Sequence, residues 1–414
     1  MLYCIEKKIL IVLGVVLLFS NNSCIEEFDL KEEVVVFESA LVIEASITNE
    51  LKKHRIVLTR AFQFGEEGAM PENDADVSVV DNMGNVFLFS ETESGVYNSI
   101  ENFQAKVGSG YRLSITTSNG RKYTSETVNL TQVTPIENIS AERIINDNNQ
   151  EGMAILVNTF DSSNSSNFYR YEYEETFLVI APDWVETDLI APMRDLGGLD
   201  DCSVELTTRS SDEKVCYGNN KSNNIILTNT MGLDEDRVSN FMVRFINRDN
   251  YMLSHRYSIL VRQFVQPPAA HAFFETLANL SESEDIFSQL QPGLLVGNVI
   301  SEEDENEVVL GYFEVSTVSE KRIFFNYDDF FPGERLPPYV VPCLRTTPPL
   351  LKPFTQTCEL STFVGSNSVK YLETNDVDRP HALQISEGPF VVVPRVCGDC
   401  TAVGSSIMPS FWVE

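Results

Sequence analysis

The sequence predicts a mainly β protein: two β-sandwich domains of the Ig-like or transthyretin-like kind, one or two short helices, and a loop-rich C-terminal region stapled by disulfides. Three observations predict it. Short apolar/polar alternations broken by Gly, Asn and Pro recur through most of the 414 residues. A hydrophobic content of 43%, with 26 Phe and 14 Tyr, is ample for packed cores in two or three domains. Six of the eight cysteines lie between Cys202 and Cys400, alongside a dense set of prolines.

The chain opens with Lys7 and Lys8, an apolar run from Ile9 to Phe19, and small polar residues leading to Cys24. That is the three-part pattern of a secretory signal, too short to remain as a spanning helix. Residues 1–23 are therefore expected to be removed and Cys24 to become a lipidated N-terminus, although Asn21 stands where lipoprotein signals usually carry an aliphatic residue. The alternative is ordinary cleavage nearby, with Cys24 left as a thiol. The acidic stretch 24–33, with Glu26, Glu27 and Asp29, reads as a solvated linker and also as a surface-export signal. Together these predict a lipid anchor in the outer membrane with the folded part facing outward.

Residues 34–131 read as the first sandwich. "ALVIEASITN", "HRIVLTRAF", "ADVSVVDNMGNVFLFSE" and "YRLSITTSNGRKYTSETVNL" alternate as strands, with Asn82, Gly84, Asn119 and Gly120 at the reversals. Pro135 marks a boundary, and 132–414 reads as a second β-rich domain. Its first two strands predict a hairpin whose turn is the polar run from Asp161 to Asn167, with a less regular insertion over 182–222. A helix near 267–284 follows Pro267 and Pro268, with Phe273, Phe274, Leu277 and Leu280 on one face for burial against a sheet. The Pro- and Cys-rich cap at 331–414 is irregular, and segments of that length are usually functional or stapled.

A net charge of −31 repels polyanions, so nucleic acid is not an expected partner. An even set of cysteines in an exported chain reads first as disulfides, and Cys202, Cys216, Cys343, Cys358, Cys397 and Cys400 are the candidates. Proximity favours Cys202 with Cys216. Cys343 and Cys358 pair with each other beside a local Cys397–Cys400 bridge, or the C-x-x-C ties the tail to the Pro-rich loop through two crossed bridges. Four thiolates around zinc and a redox C-x-x-C are weaker alternatives, the latter because "VVVPRVCGDCTAVG" shows a strand with no helix following it.

No catalytic constellation stands out, and no metal or cofactor is called for. His54, His255, His271 and His381 lack ligand spacing, and there is no P-loop, dinucleotide fingerprint or nucleophile elbow. Asp328 with Asp329 is weak as a glycosidase-like dyad, and the acidic run 301–307 lacks the spacing of a calcium loop. Tyr169, Tyr171 and Tyr173 alternate, so they share one strand face, in the core or exposed as a stacking surface.

In their order, the acidic segment after Cys24, "LVIEASITNE", "HRIVLTRAF", "ADVSVVDNMGNVF", "NFYRYEYEE", "LGYFEVSTVSEKRIFF" and the terminal "CGDCTAVGSSIMPSFW" resemble the Bacteroidota lipoprotein family catalogued as domain of unknown function 4249. The resemblance supplies no catalytic residues. It implies an exported lipoprotein, of a kind often found beside TonB-dependent outer-membrane transporters, hence an accessory role in nutrient capture or gating with the ligand unknown. The alternatives are a structural or adhesive surface protein, and a hydrolase whose carboxylates are hidden in the acidic background.

Overall fold

The computed structural model describes residues 40–61, 68–192, 202–282, 295, 297–352, 355, 357–375 and 387–413. Cys24, Glu26, Glu27, Asp29 and His381 lie outside the described residues. The chain is mainly β, with short helices and three disulfides toward its C-terminal end.

Alternation in the first third becomes nine strands: β1 (Leu41–Thr48), β2 (Arg55–Arg60), β3 (Met70–Pro71), β4 (Asp76–Asp81), β5 (Val86–Glu93), β6 (Val96–Ser99), β7 (Gly110–Thr116), β8 (Lys122–Ser125) and β9 (Val128–Asn129). Ile43, Ile47, Leu58, Val79 and Leu113 turn to one side of these strands and build a first core. The reversals occur at the expected glycines. Gly84 and Gly120 both take positive φ, and Asp81 accepts the Met83 and Asn85 amides to tighten the β4–β5 turn.

The chain continues as β10 (Ile136–Ile145), β11 (Glu151–Asp161), β12 (Phe168–Ile180), β13 (Thr187–Ile190), β14 (Glu205–Thr208), β15 (Val215–Lys221), β16 (Ile226–Asn229), β17 (Asp236–Asn247) and β18 (Arg256–Val265). Helix α1 (Pro268–Glu282) then precedes β19 (Val299–Ser301) and β20 (Val309–Asn326). The cap holds α2 (Tyr327–Phe330), α3 (Glu359–Gly365), β21 (Val369–Thr374), β22 (Phe390–Pro394) and α4 (Arg395–Gly398).

The 18-residue β20 joins the two halves. Val309 to Ser316 runs parallel to β1, and Thr317 to Asn326 runs antiparallel to β18. Phe313 and Val315 therefore complete the first core, while Phe325 enters a second. One sheet results, ordered β15-β12-β18-β20-β1-β2-β6-β5-β4-β7-β8-β19. Gly311 permits the junction: its φ is +92°, and a Cβ there would stand 1.9 Å from the Ile43 carbonyl oxygen.

The second core lies between a three-stranded sheet, β10-β11-β17, and the β15-β12-β18-β20 end of the large one. Here the structure corrects an expectation. β11 and β12 do not pair; β11 pairs with β10 and β17, and β12 with β15, β16 and β18. The run from Asp161 to Asn167 carries the chain from one sheet to the other. Two carboxylates enforce this: the partly exposed Asp161 accepts the Ser163, Ser165 and Ser166 amides, and the buried Asp236 those of Ser166 and Asn167. The insertion at 182–222 is also more regular than expected, since it supplies β13, β14 and β15.

Candidate functional site

Three disulfides gather the cap, and they correct the proximity argument. Cys202 pairs with Cys358, Cys216 with Cys400, and Cys343 with Cys397. Cys216 cannot reach Cys202 because β15 holds it fully buried in the second core, where Cys400 meets it. The C-x-x-C is thus divided between two distant partners. Cys397 ties the tail to the Pro-rich loop, and Cys400 ties it to the sheet. One turn of helix, α4, does follow β22, contrary to expectation, but both thiols are committed to disulfides. The tail then covers the β15 edge of the sheet, since Tyr217 and Ser405 exchange backbone hydrogen bonds of 2.8 and 3.0 Å and Trp412 packs edge-on against Tyr217.

On β12 the alternation has two faces. Tyr169, Tyr171 and Tyr173 are buried in the second core, so they form no exposed stacking surface. Arg170, Glu172 and Glu174 point the other way. Register places Glu174 opposite Lys221, Glu172 opposite Arg262, and Arg262 opposite Glu320. The outer face is therefore a chequerboard of charge, with Lys221–Glu174 at 3.4 Å and Arg262–Glu320 at 3.3 Å. Over part of it opens a cleft of about 270 Å³, walled by the Ser222–Asn223–Asn224 loop and by Phe274 of α1.

Arg170 anchors that cleft. Its guanidinium lies over the rings of Phe264 (4.3 Å) and Phe274 (5.0 Å), and it bonds Glu172 and, at 2.9 Å, Glu314. Gln266 donates to the other Glu314 oxygen at 2.8 Å. Burial alone would lower the Arg170 pKa, but Glu314 and Glu172 more than reverse this, so the guanidinium is held as a cation. A cleft lined by donors, acceptors and aromatic residues suits binding of a polar molecule. Neither histidine nor cysteine is among its lining residues. Its sequence signal is in "RYEYEE", whose tyrosines are buried while Glu172 and Glu174 on the other face reach solvent.

The remaining candidates have structural roles. Asp329 caps α2 by accepting the Asn326 amide at 2.7 Å. Within 301–307, Glu307 accepts from the Tyr123 hydroxyl at 2.6 Å and Arg121 at 2.9 Å. His54 meets the Phe103 carbonyl at 2.9 Å, and His271 packs on Phe168. Among the described residues, no three His, Cys, Asp or Glu side chains are grouped to hold a metal ion. No described helix is long and apolar enough to cross a membrane.

The family model for domain of unknown function 4249 matches residues 25–322. The chain belongs to the DUF4249 family. The match spans the first core and most of the second, and ends before the cap. No curated protein matches this DUF4249 chain. Among solved structures, it is similar to a DUF4785-family protein of Legionella pneumophila at 9% identity, covering 53% of this chain and 51% of that one, with a TM-score of 0.15. It is also similar to the structure titled manganese lipoxygenase of Gaeumannomyces graminis and partial zonadhesin of Komagataella pastoris (10% identity, 56% and 90% coverage, TM-score 0.15). A third is trypsin-activated alpha-2-macroglobulin of Escherichia coli (10% identity, 56% and 15% coverage, TM-score 0.17). The chain spans about half the length of the first of these. Overlaps this slight support no argument about fold or activity.

Proposed function

We infer that this DUF4249 protein is an exported Bacteroidota lipoprotein, anchored through Cys24 in the outer membrane, that serves a TonB-dependent transporter in capturing or gating a nutrient. The observation that carries this reading is the stapled cap. Three disulfides joining residues distant in sequence persist in an oxidising compartment outside the cytosol. The signal-like segment before Cys24 and the acidic residues Glu26, Glu27 and Asp29 supply the route and the destination. The charged cleft under α1 is the binding element. Its alternating signs set orientation and partner choice.

Metabolic labelling with a fatty-acid analogue, followed by protease treatment of intact cells, tests the anchor. The wild-type chain is expected to take the label and to be shaved from the cell surface, and Cys24→Ser to lose the label. An unlabelled wild-type chain, or one protected from protease until the outer membrane is broken, would contradict the reading.

A further inference from the structure

Within the cap, Lys370 on β21 is buried, and its Nζ lies 2.8 Å from Asp188 Oδ2 on β13. The other oxygen of that carboxylate, Oδ1, already accepts two backbone hydrogen bonds, from the Leu189 amide at 2.9 Å and the Tyr371 amide at 3.2 Å. Glu213 stands 3.7 Å from Nζ and is held at 3.0 Å by Arg209. Gly398, inside the C-G-D-C motif, seals the lysine stem, since a Cβ there would come 2.6 Å from the Lys370 Cβ. Asp399 is also near, at 3.9 Å, but its oxygens are engaged by Arg395 and Thr401.

A buried ion pair is a weak source of stability, because both ions lose their hydration. The arrangement has the parts for a different outcome. We propose that Lys370 and Asp188 are joined by an intramolecular isopeptide bond that forms spontaneously as the cap closes. The reactive forms are the neutral amine and the carboxylic acid, reached from the ion pair by passing one proton from Nζ to Oδ2 across the 2.8 Å contact. The Nζ lone pair adds to Asp188 Cγ, and the charge that develops on Oδ1 meets two amide donors already aimed at it. Glu213 takes a proton from Nζ and delivers it to the Oδ2 hydroxyl, which departs as water. Counted from ammonium and carboxylate, the products are one amide and one water, so no oxidant, cofactor or outside reagent is needed. The folded cap supplies the positioning that makes this condensation feasible. The product is a crosslink that reductants cannot open, in the region the disulfides already staple.

Peptide mapping of the full chain by mass spectrometry, after reduction, alkylation and trypsin digestion, tests this. The expected result is a branched species joining the peptides that contain Asp188 and Lys370, lighter than their sum by one water, with no cleavage after Lys370. In Glu213→Gln the two linear peptides are expected to return while the three disulfides still form. Full recovery of both linear peptides from correctly oxidised wild-type protein would overturn the proposal and leave an ion pair. A crosslink that survives completely in Glu213→Gln would overturn the role given to that carboxylate.

Discussion

Buried polar side chains act one residue at a time in this protein, and each is matched to a partner. Glu175, on β12, accepts from Tyr257 at 2.5 Å, Arg244 at 2.9 Å and Asn220 at 2.8 Å. Glu175→Ala strands that arginine and hydroxyl, and is expected to cost about 3 kcal/mol, the low end for a broken buried pair because Arg244 stays partly exposed; urea unfolding measures it. His54 gives a pH dependence. Burial lowers its pKa to about 4, outweighing the Phe103 carbonyl, which raises it. Burial also lowers those of His255 and His271. The unfolded chain takes up these protons near pH 6.5 and the folded chain does not. Stability is therefore expected to be level above that pH and to fall as pH drops toward 4. Unfolding midpoints across the window check this, and His54→Gln should reduce the slope. None of these partnerships was legible in the sequence, because a lone Glu or His does not announce what a distant strand will place against it.

At the scale of elements, alternation found the strands but not their pairing. The β4–β5 and β7–β8 reversals were legible because glycines with positive φ turn the chain locally. The Asp161–Asn167 run has the local composition of a hairpin turn, but alongside Asp161 its amides are held by Asp236, which lies far along the chain. The same limit hid the junction in β20, whose two halves serve two cores. Gly311→Ala tests that junction. It combines an unfavourable φ with a clash against the Ile43 carbonyl, and is expected to cost at least about 1–3 kcal/mol from backbone strain alone, visible as a lower melting temperature. An unchanged melting temperature would show that β1 and β20 can separate without loss.

For the whole molecule, composition placed the protein in a disulfide-bearing class, and the cysteine count was informative where spacing was not. Cys202 and Cys216 are close in sequence, yet one is tied to the cap through Cys358 and the other sits in the sheet. Replacing Cys216 and Cys400 together by serine is expected to cost about 2–4 kcal/mol, and to free the tail from the β15 edge, which hydrogen exchange at Tyr217 reads directly. The charged outer face was hidden for a related reason: register, not local composition, sets Glu172 and Glu174 opposite Arg262 and Lys221. That face, together with the anchor proposed at Cys24, motivates the proposal of a membrane-bound partner. The most direct test is a crosslinked pull-down of the native protein from outer membranes of its host, read by mass spectrometry. A TonB-dependent barrel recovered in stoichiometric amount, and lost when Lys221 and Arg262 are both changed to Glu, is the predicted result; recovery of the protein alone would contradict the account.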